Sequence, residues 1–100
     1  MNIEVVDRGV DVIVYISHEL TIRETRSIRD KFCDIAILKK DVILDLSDLE
    51  YIDSSGLGEL IHLNKVVKDQ DRELIVVNIS SSIEQVLKLC SFDKFIKVVK

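Results

Sequence analysis

Short apolar runs of strand length alternate with longer amphipathic segments along the chain, and this alternation restricts the possible folds more than any other feature. Strand-like runs lie at 3–16, 42–46, 73–79 and 95–99. Between them, apolar residues recur at three- and four-residue steps, the period of a helix with one buried face. Strands that alternate with helices of about 10 to 15 residues are joined by right-handed crossovers into a largely parallel sheet. The pattern predicts an α/β protein.

The first strand-like run contains a turn. Ile3 and Val5 precede the sequence Asp7-Arg8-Gly9, and apolar residues then alternate from Val10 to Ile16. Glycine can adopt the positive φ that such a turn requires. We therefore expect an opening β-hairpin and the order ββαβαβαβ: a mixed sheet of four to five strands with about three helices.

Three segments carry helix signals. Thr21 and Glu24 form a T-x-x-E capping box, and Ser81 and Glu84 form an S-x-x-E box. The second helix is expected to end near the polar turn at 68–71. The side chains predicted to face the core are Ile22, Thr25, Ile28, Phe32 and Ile35 in the first helix, Leu57, Leu60, Ile61, Leu63 and Val67 in the second, and Ile83, Val86, Leu87 and Cys90 in the third.

Length and composition limit the chain to a modest set of functions. One hundred residues without proline or a low-complexity linker predict one domain, 1–100. A hydrophobic content of 47% is enough for a core without disulfides or metal. Cys33 and Cys90 match no metal-ligand spacing, so we expect small buried side chains in a reducing, cytoplasmic compartment. A net charge of −4 disfavours nucleic acid as a partner, and no apolar stretch is long enough to span a membrane.

The most unusual segment, 49–59, follows the predicted central strand Val42–Leu46. It carries two serines, two of the three glycines and several acidic residues. Asp53 and Ser54 can each cap the following helix. Gly56 and Gly58 each weaken a helix by about 1 kcal/mol relative to alanine, so something other than helix propensity requires them. Close approach by another molecule is one such requirement.

Two interpretations of this segment remain open from the residues alone. A well-capped turn between a strand and a helix would have the same sequence without any further role. Alternatively, a serine hydroxyl at a helix N-terminus is a favourable place for a phosphate, because the free amides and the helix dipole stabilise the anion. Phosphorylation would add about 1.5 to 2 negative charges beside Asp53 and Glu59 and alter a docking surface.

Catalytic motifs are incomplete. The serine pair lacks the leading glycine of a G-x-S-x-G nucleophile elbow, and Gly56-Leu57-Gly58 is followed by Glu59 instead of the P-loop lysine. His18 and His62 have no matched metal ligands. We therefore predict no enzyme activity, no catalytic residues, no metal, no cofactor and no small-molecule substrate.

The serine-containing segment closely resembles the signature of a known family. Asp45-Leu46-Ser47, followed by Tyr51-Ile52-Asp53-Ser54-Ser55-Gly56-Leu57-Gly58, is similar to the motif of STAS-domain anti-sigma factor antagonists, the bacterial anti-anti-sigma proteins. The opening hairpin, the turn into the first helix and the ending Cys90-Ser91-Phe92-Asp93-Lys94-Phe95 also lie where that family has equivalents. The resemblance therefore covers nearly the whole chain. One departure is the turn His18-Glu19-Leu20-Thr21, where the family commonly has glycine first and aspartate last.

The resemblance implies a non-catalytic switch in a single STAS-like domain. Such a protein binds an anti-sigma factor, itself a serine kinase, and releases it when phosphorylated; a PP2C-type phosphatase restores the unmodified form. The family's phosphoacceptor corresponds to Ser55. The partner-binding residues we expect are Thr21, Ile22, Arg23, Asp53, Ser54, Gly56, Leu57 and Glu59. The alternative is a constitutive STAS scaffold or interaction subunit of a signalling or transport complex, with no phosphorylation cycle.

Overall fold

The computed structural model describes residues 2–94 and 96–99, and its elements follow the order predicted with one addition. The strands are β1 (Asn2–Asp7), β2 (Asp11–Leu20), β3 (Asp41–Asp45), β4 (Leu49–Ile52), β5 (Leu74–Val77) and β6 (Lys97–Val99). The helices are α1 (Thr25–Ile37), α2 (Ser54–Asp69) and α3 (Ser81–Leu89).

The six strands form one mixed sheet in the order β1-β2-β3-β5-β6, with β4 paired to β2 off this path. Only the opening hairpin, β1 with β2, is antiparallel; the other pairs are parallel. From β2 to β3, β5 and β6, each crossover steps in the same direction across the sheet. Since such crossovers are right-handed, all three helices are placed on one face.

The core lies between that face and the helices. Alternate strand residues point into it, including Val12, Val14, Val42 and Leu44, which are at most 1% exposed. The predicted alternation of Val42, Leu44 and Leu46 on one face is confirmed. Strand β5 was expected to be covered on both sides or flanked by neighbours. Strands β3 and β6 flank it, and its buried residues Leu74 and Val76 lie on the helix side.

Strand β4 was missing from the predicted order. Its burial does not alternate: Leu49 and Ile52 are buried while Glu50 and Tyr51 between them are exposed. A four-residue strand with that spacing has no period-2 signal, so only its pairing with β2 reveals it. Phe95, predicted to begin the last strand, lies outside the described residues.

Two predicted helix starts were wrong, that of α1 by three residues and that of α3 by one. Thr21 caps a 3₁₀ turn at Ile22–Glu24, and α1 begins at Thr25. The Glu24 carboxylate accepts a hydrogen bond from the Thr21 hydroxyl (2.8 Å), which replaces the expected contact with the backbone. Helix α3 is capped by Ser80 instead of Ser81, because it is the Ser80 hydroxyl that accepts from the Ile83 amide.

Several side chains predicted to be buried are exposed. Ile22 is 65% exposed because the 3₁₀ turn breaks the helical period, and Ile61 is 42% exposed because Leu60 and Leu63 are the residues of α2 that face the core. Cys90 is exposed because it is the C-cap residue of α3, and Cys33 is exposed because it follows the core-facing Phe32. The prediction of buried cysteines was therefore wrong.

Candidate functional site

The two predicted partner-binding segments, 21–23 and 53–59, meet where β2 and β4 end. Leu20 and Ile52 are paired in parallel, and the Asp53 amide donates a hydrogen bond to the Leu20 carbonyl oxygen (3.2 Å). The chain then turns into α1 after β2 and into α2 after β4. This pairing, which the sequence did not reveal, joins both segments into one site.

Asp53 connects the two turns through both carboxylate oxygens. Oδ1 accepts from the Gly56 amide (3.0 Å) and caps α2, while Oδ2 accepts from the Ile22 amide (3.0 Å). The hydrogen bond from Gly56, aided by those from Ile22 and Ser55, holds the pKa of Asp53 below its ordinary value. Asp53 was predicted as a partner-binding residue, and its hydrogen bonds within the chain also organise the site.

Asp53→Asn is expected to keep the cap of α2 but lose the bond to Ile22, because the amide group has one acceptor oxygen where the carboxylate has two. We expect the free energy of unfolding at pH 7 to fall by about 1 kcal/mol, and by about 2 kcal/mol in Asp53→Ala, which loses both bonds. Urea unfolding of the three proteins measures these losses.

The loss of unfolding free energy in Asp53→Ala should depend on pH in a direction set by the pKa of Asp53. Because the pKa of Asp53 is lower in the folded state, its contribution is complete above the ordinary aspartate pKa of about 4 and disappears as the pH falls through the folded-state value. The difference between the parent and Asp53→Ala should therefore shrink below about pH 4. A constant difference down to pH 2 would contradict this role of the carboxylate.

Packing within the chain requires glycine at position 56, because there is no room for a Cβ. A Cβ at this position would lie 2.3 Å from the Leu20 carbonyl oxygen, 2.8 Å from Leu20 Cγ and 2.9 Å from Ile52 Cγ1. Gly56 is buried, so the close approach expected from the sequence is made by β2 and not by another molecule. Gly58 differs, since it is exposed and a Cβ there would meet nothing within 4 Å.

The two serines differ in exposure. Ser54 is exposed, and Ser55 is half-buried in the first turn of α2. Ser55 is therefore not sealed inside the fold, an outcome that would have ruled out the predicted switch.

Other predicted partner-binding residues are mostly covered. Thr21 is 7%, Leu57 is 6% and Glu59 is 8% exposed. The Glu59 carboxylate accepts two hydrogen bonds from the Arg29 guanidinium, at 3.1 Å from Nε and 2.8 Å from Nη2. This ion pair joins α1 to α2 and balances the charge that was expected to lie beside Ser55.

Two exposed apolar side chains lie close to the start of α2, and only one of them was predicted as a partner-binding residue. Ile22 (65% exposed) and Tyr51 (54% exposed) line a shallow depression of about 300 Å³, together with Arg23 and Asp53. Ile22 had been predicted both to face the core and to bind a partner, and it is available only for the second role. Tyr51 was missed, although an aromatic residue just before a serine-rich turn is a usable signal for an interface.

A larger polar groove of about 570 Å³ lies at the carboxyl ends of the strands, beside the start of α3. It is lined by Ser17, His18, Ser47, Asp48, Leu49, Glu50, Ser80 and Ser82, of which Ser47 belongs to the family-like motif and Leu49 and Glu50 to segment 49–59. His18 has a φ of 69° and lies 3.6 Å from Glu50, measured from Nδ1 to Oε1. In residues 2–94 and 96–99, no three histidine, cysteine or acidic side chains are arranged to hold a metal ion.

No helix in the described part of the chain is long and apolar enough to cross a membrane. The fold and site together define a small α/β domain with a capped, serine-bearing helix start on its surface. The family model of the STAS domain matches residues 2–100, and the chain belongs to this family.

Several proteins similar to this chain are named anti-sigma factor antagonists. It is 26% identical to the anti-sigma-B factor antagonist of Bacillus subtilis (strain 168) over 98% of this chain and 90% of the relative. It is 25% identical to a candidate anti-sigma factor antagonist from Thermotoga maritima, with a TM-score of 0.89 over 98% of this chain and 86% of that one. The anti-sigma factor antagonist SpoIIAA in its unphosphorylated form is 20% identical, with a TM-score of 0.74 over 99% and 86% of the two chains, and shares the fold. SpoIIAA of Bacillus in its phosphorylated form also shares it, with a TM-score of 0.75.

Proposed function

We propose that this protein is an anti-sigma factor antagonist controlled by phosphorylation of Ser55. In the unmodified state it binds an anti-sigma factor that is also a serine kinase, and phosphate on Ser55 releases that partner. A PP2C-type phosphatase removes the phosphate and restores binding. The protein performs no catalysis of its own and acts in the cytoplasm as one domain, residues 1–100.

The observation that carries the proposal is the position of Ser55 at a helix start that the rest of the chain holds fixed. The Asp53 carboxylate, the Leu20 carbonyl oxygen and Gly56 lock the turn, while Ser54 and Ser55 keep surface that a partner can reach. A phosphate on Ser55 lies in the first turn of α2, where the helix dipole stabilises an anion. Modification therefore need not unfold the helix to change the surface.

The docking surface we propose has an apolar part and a polar part. Ile22 and Tyr51 supply exposed apolar area, and Ser54, Ser55 and Gly58 supply uncharged surface at the start of α2. Arg23 lines the same depression as Ile22 and Tyr51. Thr21, Asp53, Gly56, Leu57 and Glu59 support this surface from beneath more than they contribute area to it.

Charge supplies the mechanism of release. The Glu59 carboxylate is paired with Arg29, whereas Asp53 accepts from neutral backbone amides and keeps its negative charge, so a phosphate on Ser55 would add charge beside an existing anion. A dianion placed there must be desolvated when the partner binds, and an unpaired buried charge costs several kcal/mol. A hundredfold loss of affinity needs only about 2.8 kcal/mol.

Incubation with the cognate anti-sigma factor kinase and ATP is expected to add one phosphate, detected by intact-mass spectrometry. The label should be absent in Ser55→Ala and retained in Ser54→Ala, because only Ser55 corresponds to the family's acceptor. The kinase is obtained by pull-down from the native cell with and without phosphatase treatment.

Two outcomes would contradict the switch. No label on either serine would favour the alternative, a constitutive STAS scaffold that uses the same turn for docking. A label that persists in Ser55→Ala would place the acceptor elsewhere.

A further inference from the structure

Helices α1 and α2 lie side by side and run in the same direction. Asp53 joins their two starting turns, and further along the Arg29 guanidinium binds the Glu59 carboxylate (2.8 Å). At the far ends, the Gln70 side chain donates a hydrogen bond to the Ala36 carbonyl oxygen (2.9 Å). These contacts keep the same order along both helices, so the first turn of α1 lies beside the first turn of α2.

The outer edge of the cleft between the two helices carries Arg26 on one side and Ser55 on the other. Cys33 and His62, both exposed, line one small cavity in this cleft. Seven residues make almost two full turns of a helix, so a residue seven positions earlier lies on the same side. Counting back seven positions from Cys33 gives Arg26, and from His62 gives Ser55. The axes of packed helices lie about 8 to 10 Å apart, a gap that an arginine and a phosphoserine side chain bridge together.

Arg26 is the arginine at this edge that is available for a new contact. Among the residues that the structure describes, it forms no ion pair, and it is exposed. Arg29, one turn further along α1, is engaged, because two of its nitrogens donate to the mostly buried Glu59 carboxylate. Moving Arg29 to another anion would leave that carboxylate without its counter-ion, which is strongly unfavourable.

We propose that Arg26 binds the phosphate on Ser55, so that the modified protein carries an ion pair between the first turns of α1 and α2. This inference rests on the proposed function, because it requires a phosphate at Ser55. A planar guanidinium donates two parallel hydrogen bonds to phosphate oxygens. The phosphate has a charge of about −1.5 to −2 at neutral pH, so a single arginine does not neutralise it fully.

The ion pair stabilises the released state of the protein. A partner that covers Ser55 must either break the pair or remove it from water, and both cost free energy. In the unmodified protein the pair does not exist, and Arg26 is free to contact the partner. Phosphorylation therefore changes the docking surface in two ways: it adds an anion and it withdraws a cation.

A double-mutant cycle on the full chain tests the ion pair without a kinase or an anti-sigma factor. The chain is assembled from synthetic segments ligated at Cys33 and Cys90, with serine or phosphoserine at position 55 and arginine or glutamine at position 26. Urea unfolding gives the unfolding equilibrium constant of each of the four proteins. The effect of the phosphate on this constant should be about fivefold more favourable in the parent than in Arg26→Gln, a coupling of about 1 kcal/mol.

Three controls locate the pair and establish that it is ionic. Phosphoserine at position 54, which is exposed and lies about 100° away around α2, should couple to Arg26 less than about twofold. Arg23→Gln removes the arginine that lines the depression beside Asp53, and it should couple to the phosphate on Ser55 less than about twofold. In about 1 M salt the fivefold coupling should fall below about twofold, because salt screens an exposed ion pair.

The proposal is overturned by a coupling between Arg26 and the phosphate on Ser55 that is absent, no larger than that of the position 54 or Arg23 control, or unchanged by salt. The outcome is independent of the kinase labelling experiment, since the synthetic protein carries its phosphate in any case. Failed labelling therefore contradicts the proposed function, and a failed cycle contradicts the ion pair alone.

Discussion

Gly56→Ala is expected to lower the free energy of unfolding by at least about 3 kcal/mol, a large part of the stability of a domain of this size. The added Cβ would lie 2.3 Å from a backbone oxygen, that of Leu20, and backbone cannot move aside as a flexible side chain can. Leu20 is also held by its pairing with Ile52, so relief requires displacing β2, β4 or the start of α2. Urea unfolding followed by circular dichroism measures the loss.

Gly58→Ala is the matched control for this result. It adds the same methyl group two residues further along α2, where a Cβ meets nothing within 4 Å. Helix propensity alone should then raise the free energy of unfolding by about 1 kcal/mol. Equal losses in the two variants would show that the effect comes from removing glycine from the helix and not from contact with Leu20.

Ser55→Glu is expected to weaken binding of the anti-sigma factor about a hundredfold, with little change in the protein's own stability. The carboxylate places negative charge at the site proposed for the phosphate, and acidic residues in the first turn of a helix are stabilising. Lost binding would therefore not reflect lost folding. Calorimetric titration of the parent and the variant with the anti-sigma factor gives the ratio of affinities.

Ser55→Gln separates charge from size in the same titration. Glutamine matches glutamate in shape but is neutral, so this variant should retain most of the affinity that Ser55→Glu loses. Comparable losses in both variants would indicate a steric effect, and unchanged affinity in Ser55→Glu would count against electrostatic release. The enzymatically phosphorylated protein, with its greater charge, should bind more weakly than either variant.

Much of the fold could be predicted because its signals are local. The hairpin turn at Gly9, the alternation of Val42 and Leu44 and the helical spacing of Leu60 and Leu63 each follow from a few neighbouring residues. Two of the errors occurred where the period was broken: at the 3₁₀ turn that exposes Ile22 and at the four residues of β4. Neither segment is long enough to establish a period.

The candidate site was predicted in position but not in detail. The motif located Ser55 correctly at the start of α2. It did not show that Gly56 serves the chain's own packing, or that Glu59 is held by Arg29 thirty residues away. It contained Tyr51 but gave it no binding role, because only the pairing of β4 with β2 places Tyr51 beside Ile22.

The sequence by itself determined the order of strands and helices, the faces that become the core, and the serine-bearing turn with its family resemblance. Only the tertiary structure decided which side chains of that turn are available to a partner, and it left one face of the sheet without a helix. The physical reason is the separation along the chain over which each kind of interaction acts. Periodicity and capping act over a few residues, whereas the burial of Glu59, the contact of Gly56 with Leu20 and the direction of each crossover depend on segments about thirty residues apart, brought together by packing.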